Sequence, residues 1–143
     1  MREINSAEEM RAFGKKLTKS LKAADLVLLS GALGSGKTAL TQGIGEALGF
    51  KNITSPTFVI SKFYKGEPNL LHVDAYRLQG EASELFDDLD LESYLPFSIT
   101  VVEWGEGFIN RIADKYLEIK ISFGKEENQR YLEIIDHGLG ISL

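Results

Sequence analysis

The 143-residue sequence contains no cysteine. This absence excludes disulfides, thiolate metal sites and cysteine nucleophiles, and it agrees with a reducing compartment. No apolar run approaches the ~18 residues of a membrane-spanning helix, and residues 1–5 lack the apolar core of a secretory signal peptide. We therefore expect a cytoplasmic protein with no membrane association.

Positive charge is also scarce, because 16 lysines and arginines face 21 acidic residues and leave a net charge of −5. Proteins that bind nucleic acid through its phosphates rely on clustered lysine and arginine. Any role on nucleic acid is therefore expected to run through a partner protein. The sequence shows no repeat, linker or low-complexity segment, so we expect a single domain over residues 1–143.

The strongest positive signal is a glycine-rich motif at residues 31–38, GALGSGKT, which fits G-x-x-x-x-G-K-[ST] at every fixed position. The apolar run at 26–29 before it is typical of a strand buried on both faces, and residues 38–48 have helical spacing. Such a loop wraps an anion with inward-pointing N–H groups at the positive end of a helix. The predicted nucleotide contacts are Gly31, Ala32, Leu33, Gly34, Ser35, Gly36, Lys37, Thr38 and Ala39.

Two side chains of the motif have separate tasks. Lys37 adds positive charge for the outer phosphates, and the Thr38 hydroxyl can join the ligand shell of Mg²⁺. The same loop serves kinases, switches and motors, so it does not define the reaction.

The remaining patterns predict an α/β fold: a P-loop NTPase domain with a mixed β-sheet flanked by helices. Ser6 and Glu9 form a capping box for the first helix, and Gly14 inside that helix can mark close packing against a neighbour. Two segments rich in turn-forming residues each separate a pair of strands, which predicts two antiparallel hairpins beside a parallel core. The predicted helices cover about 7–22, 38–48, 82–86 and 108–113, and the strands 26–29, 58–64, 70–73, 98–102, 116–123 and 131–135.

Two carboxylates follow apolar strands. Glu103 is expected to emerge beside the phosphate loop as a magnesium ligand, and the alternative is an ordinary strand-end glutamate in solvent. Asp74 could act as a base or hold magnesium-bound water, or it could pair with Arg77 and pin the turn. Both alternatives for Asp74 stay open.

Other residues are candidates for switch or supporting roles. His72 lies on the same side of its strand as Asp74, and we interpret it as a packed, hydrogen-bonded histidine with no metal role. Trp104 could stack on a base, contact a partner or fill the core, and the core is the default interpretation. A hydroxyl-rich loop follows the phosphate-loop helix, where switch segments of nucleotide proteins sit. The candidates are Ser55, Thr57, His72, Tyr76, Arg77 and Trp104.

The order of these motifs resembles TsaE, the ATPase family of bacterial tRNA threonylcarbamoyladenosine synthesis. The resemblance runs from about residue 26 to 106 and rests on the loop, Ser-Pro-Thr at 55–57, His-x-Asp-x-Tyr-Arg at 72–77 and Glu-Trp-Gly-Glu at 103–106. It implies an ATP-hydrolysing, Mg²⁺-dependent protein that works with TsaB and TsaD on adenosine 37 of tRNA. It also implies that Thr38 and Glu103 hold the metal, Lys37 the phosphates, and that Asp74 is needed for hydrolysis.

The resemblance has one departure, since Asp90 in Leu-Asp-Leu at 89–91 stands where the family usually has glycine. Our hypothesis is that ATP binding and hydrolysis drive a conformational or release step in the partner complex, while the threonylcarbamoyl transfer itself occurs elsewhere. The alternatives are a small-molecule P-loop kinase and a nucleotide-dependent adaptor with slow intrinsic hydrolysis. No arginine-bearing lid of a kinase is evident among Arg2, Arg11, Arg77, Arg111 and Arg130, and no Asn-Lys-x-Asp motif for guanine is present.

Overall fold

The computed structural model describes residues 1–54, 61–75, 91–104, 109–141 and 143. None of the helices in these residues has the length and hydrophobicity of a transmembrane segment. The helices are α1 (Ala7–Thr18), α2 (Lys37–Ala47) and α3 (Leu91–Tyr94), and single 3₁₀ turns cover Leu95–Phe97 and Ile109–Arg111. The strands are β1 (Arg2–Ile4), β2 (Leu26–Gly31), β3 (Ser61–Tyr64), β4 (Asn69–Asp74), β5 (Ser98–Glu103), β6 (Tyr116–Phe123) and β7 (Arg130–His137).

The described strands form one sheet in the order β1-β7-β6-β2-β5-β4-β3. The four central strands β6, β2, β5 and β4 pair in parallel, and the hairpins β3–β4 and β6–β7 and the pair β1–β7 are antiparallel. This arrangement confirms the predicted mixed sheet, in which the parallel strands end at a common edge.

The apolar run of β2 is buried on both faces, as its composition predicts. Val27 and Leu29 pack into the core beneath α1 and α2, whereas Leu26 and Leu28 pack into a second cluster on the opposite face. Alternating side chains point to opposite faces of a strand, so a central strand covered on both sides has no polar face.

The helices α1 and α2 lie against each other at two glycines. A Cβ atom on Gly14 would lie 2.4 Å from the carbonyl oxygen of Leu40, and one on Gly43 would lie 2.1 Å from that of Arg11. Both distances are shorter than any real Cβ contact, so the helix backbones touch only because these residues lack a side chain. The expectation that Gly14 marks close packing is confirmed.

Several predicted boundaries are wrong in detail. Helix α1 ends at Thr18 and does not reach residue 22, because the chain tightens into i→i−3 hydrogen bonds from Lys19 and Ser20. The helix predicted over 108–113 is a single 3₁₀ turn, and β1 was not predicted. The helix predicted over 82–86 lies outside the described residues.

Candidate nucleotide site

The phosphate loop connects the end of β2 to the start of α2, as the motif predicts. Gly34 and Gly36 have φ angles of 80° and 114°, in the left-handed region that strains any residue with a side chain. Within the loop, the Ser35 N–H donates to the carbonyl of Ala32 at 3.0 Å. The motif's fixed glycine at position 36 is therefore the residue that turns the chain into α2.

Lys37 is buried at the first position of α2. Its Nζ donates to the carbonyl of Gly31 at 2.6 Å and lies 3.7 Å from the centroid of the Trp104 ring. A lysine ammonium at this distance from an aromatic face is held by cation–π attraction as well as by its hydrogen bond. The ammonium charge is thus held between the Gly31 carbonyl and the indole ring of Trp104.

A cavity of about 270 Å³ opens beside the loop, and it contains the side chains that the sequence assigned to chemistry. Asp74 and Glu103 are register partners at the ends of β4 and β5, and Glu103 is also level with Leu29 of β2. Parallel strands that end at one edge of a sheet bring their last side chains together there. The cavity is lined by Leu33, Gly34, Gly36, Lys37, Thr38, Asp74, Glu103 and Trp104.

Glu103 is only 4% exposed, so the alternative of a solvent-exposed strand-end glutamate is wrong. Its Oε2 lies 2.6 Å from Nε2 of His72, whose side chain is fully buried. The prediction that His72 is a packed, hydrogen-bonded histidine is confirmed. The sequence did not predict that its hydrogen bond would go to Glu103.

Arg130, at the start of β7, braces the outer side of the loop and was missed by sequence reasoning. Its Nε donates to the carbonyl of Ser35 at 3.1 Å and its Nη2 to that of Gly34 at 3.3 Å, while the guanidinium lies 4.6 Å from the ring centroid of Phe123. The loop and Arg130 are 95 residues apart along the chain at Ser35, so no local pattern connects them.

Trp104 is half-buried and packs partly against the second core cluster, which agrees with its default interpretation as core. It also lines the cavity, and its φ of 62° is an outlier for a bulky residue. The backbone turns sharply after β5, and the indole ring faces Lys37 there.

The donor set fits magnesium held jointly with phosphates. The Thr38 hydroxyl and the Glu103 carboxylate place oxygen atoms of the kind that Mg²⁺ prefers in one cavity, and Mg²⁺ commonly takes one or two protein ligands together with phosphates and water. Among the described residues no group of three or more His, Cys, Asp or Glu side chains could hold a metal alone.

Some predicted site residues do not line this cavity, and others lie outside the part of the chain that the structure describes. Ala39 lines a different, smaller cavity of about 140 Å³, together with Ser35 and Arg130. The predicted switch and turn residues lie outside the described residues, and with them the alternative of an Asp74–Arg77 pair. These residues are Ser55, Thr57, Tyr76 and Arg77.

The central parallel strands, the phosphate loop and the helix that follows it define the α/β P-loop NTPase class of fold. The family model for "Threonylcarbamoyl adenosine biosynthesis protein TsaE" matches residues 4–132. The chain belongs to the TsaE family, and the resemblance drawn from its motifs is confirmed.

Individual relatives agree with this assignment. A "tRNA threonylcarbamoyladenosine biosynthesis protein TsaE" of Streptomyces coelicolor is 50% identical over 116 residues, which cover 78% of each chain. The protein of the same name from Mycobacterium tuberculosis H37Rv is 41% identical over 124 residues, covering 80% of this chain and 73% of the relative. The crystal structure of Bacillus subtilis YdiB superposes with a TM-score of 0.78 at 29% identity, covering 96% of this chain and 84% of YdiB.

Proposed function

We propose that this chain is a Mg²⁺-dependent ATPase that supports the threonylcarbamoyladenosine modification of tRNA. The observation that carries the proposal is the meeting of Lys37, Thr38, Asp74 and Glu103 in one cavity beside the phosphate loop. The names of the relatives supply the pathway, since they are tRNA threonylcarbamoyladenosine biosynthesis proteins.

Each side chain has a role that follows from its position. The loop amides and Lys37 bind the phosphates of ATP, and Thr38 and Glu103 hold the metal. Bound magnesium supplies positive charge that neutralises the phosphate oxygens. Asp74, level with Glu103 on the neighbouring strand, accepts a hydrogen bond from the attacking water and orients it.

The proposed partners are TsaB and TsaD, with tRNA engaged only through that complex. The net charge of −5 suits a subunit that does not itself supply the tRNA-binding surface. ATP hydrolysis then drives a conformational or release step in the partners, and the transfer of the threonylcarbamoyl group takes place on them. We propose that the chain acts as a single domain in the cytoplasm and that its hydrolysis is slow until the partners bind.

Reconstitution tests this role. TsaB, TsaD, tRNA and threonylcarbamoyl-adenylate are mixed with and without the full chain and ATP, and modified tRNA is counted per enzyme complex. We expect repeated turnover only when both the chain and ATP are present. Equal multiple-turnover modification without the chain would contradict the proposal.

Two substitutions test the site itself. Thr38→Ala is expected to weaken Mg²⁺-dependent nucleotide binding, because it removes one oxygen ligand.

Asp74→Ala is expected to leave ATP binding intact and to abolish ATP hydrolysis, measured as released phosphate, since Asp74 acts on water and not on the nucleotide. The exposed Asp114, outside the cavity, provides the matched control as Asp114→Ala. Unchanged ATPase activity in Asp74→Ala would assign that residue a structural role.

A further inference from the structure

We propose that His72 is a positioning residue that holds the Glu103 carboxylate in the orientation required to bind Mg²⁺. The inference rests on the proposed function, which assigns Glu103 to the metal. It extends that function to a fully buried residue that is not part of the lining of the cavity.

The sheet register brings the two side chains together. His72 of β4 pairs with Val101 of β5, two residues before Glu103, so His72 and Glu103 are diagonal neighbours on the same face. The Nε2–Oε2 distance is 2.6 Å, and the side chains are 0% and 5% exposed. Because an ionised carboxylate can only accept, Nε2 carries the proton and donates it into this bond.

Among the described residues, the two ring nitrogens of His72 differ in their hydrogen bonding. Its Nδ1 is buried and has no hydrogen-bond partner among the residues that the structure describes. Burying an unpartnered polar atom is unfavourable, so such an atom in a folded protein calls for an explanation. Within the described part of the chain, the imidazole's hydrogen bond is directed at the carboxylate proposed to bind the metal.

The hydrogen bond from His72 restricts rotation of the Glu103 carboxylate, whose orientation decides which oxygen faces the metal. A glutamate side chain rotates about three bonds, and a bond to Oε2 from a fully buried donor removes most of that freedom. It leaves Oε1 as the oxygen that we assign to the metal. Hydrogen bonds of this kind orient metal ligands generally, and their loss typically lowers metal affinity by about 10–100-fold.

The test measures metal dependence of binding without any turnover. A fluorescent, non-hydrolysable ATP analogue is titrated onto the full chain in EDTA and then at rising Mg²⁺ concentrations. The variants are His72→Leu and His72→Asn, which lose a donor at the Nε2 position, and His72→Gln, whose longer amide returns one. Thr100→Val is the matched control, because Thr100 is a buried polar residue of β5 that lies on the opposite face of the strand from Glu103.

In EDTA we expect all variants to bind the analogue as the unmodified chain does. The Mg²⁺ concentration that gives half of the maximal increase in analogue binding is expected to rise about 10–100-fold in His72→Leu and His72→Asn. In His72→Gln and Thr100→Val it is expected to stay near the value of the unmodified chain. Thermal melting of each variant verifies that it is folded. If His72→Leu does not fold, the comparison of His72→Asn with His72→Gln gives the same test.

The outcomes separate this inference from the function on which it rests. Binding by the unmodified chain that does not depend on Mg²⁺ would overturn the proposed function and the inference with it. Mg²⁺-dependent binding that is unchanged in His72→Leu and His72→Asn would overturn the inference alone. An equal rise in Thr100→Val would also overturn it, because the effect would then follow from any disturbance of the sheet.

Discussion

The brace that Arg130 forms on the phosphate loop can be tested by Arg130→Gln. The guanidinium holds the carbonyl of Ser35, which shares a peptide group with the N–H of Gly36. In a trans peptide the C=O and N–H point in opposite directions, so a carbonyl fixed on the outer side fixes the Gly36 N–H on the inner side. Removing the brace is therefore expected to loosen a phosphate-binding amide without touching the nucleotide cavity.

The size of the effect follows from the two loop hydrogen bonds, at 3.1 and 3.3 Å. A hydrogen bond to a charged group contributes about 1.5–3 kcal/mol, but Arg130 is half-exposed and the second bond is long, so the low end applies. The loop also regains part of its order when phosphate binds. We therefore expect ATP binding to weaken by about 1–2 kcal/mol, which is roughly a 5–30-fold rise in Kd.

Isothermal titration with ATP and with ADP measures this change directly. Both nucleotides are expected to lose the same factor, because the loop binds phosphates that they share. Arg2→Gln is the matched control. It removes the same charge from a guanidinium that lies 5.0 Å from the Phe13 ring, whereas the carbonyls of Gly34 and Ser35 accept from Arg130. A Kd for Arg130→Gln within about twofold of the unmodified chain would refute the reasoning, as would an equal loss in Arg2→Gln.

Two further predictions concern the helix contact and the aromatic cover of the site. Gly43→Ala places a Cβ 2.1 Å from the Arg11 carbonyl oxygen. The cost of this overpacking, about 1–3 kcal/mol, should outweigh the gain of about 1 kcal/mol in helix propensity. The free energy of unfolding, measured in urea, should therefore fall. Gly45→Ala, which meets a side chain and not backbone, should cost less, and equal stabilities would contradict this account. Nucleotide binding should change the fluorescence of Trp104, the sole tryptophan, because Lys37 leaves its ring for the phosphates. An unchanged spectrum at saturating ATP would show that Lys37 stays in place.

Much of the fold follows from patterns that are local in sequence. The phosphate loop is contiguous, and its glycines set the backbone dihedrals that shape it. The two hairpins follow from turn-forming segments between β-rich runs, and the buried central strand from its unbroken apolar composition. Strand β1 escaped prediction because three residues are too few to show alternation.

The candidate site divides in the same way. Asp74 and Glu103 could be proposed from the sequence because each ends an apolar strand, and parallel strands share an edge. The burial of Glu103 and its bond to His72 could not, because they depend on the register between β4 and β5. The bonds from Arg130 depend on how the closing hairpin packs beside the loop.

The sequence by itself determined where the phosphate-loop motif lies, which family the chain resembles and which carboxylates reach the cavity beside the loop, since each of these depends on short motifs and strand ends. The tertiary structure decided which side chains hold those groups in place. His72 meets Glu103, Arg130 meets the phosphate loop, and Trp104 covers Lys37. Residues far apart in the chain become neighbours only through strand register and packing, and local sequence patterns do not predict either of these.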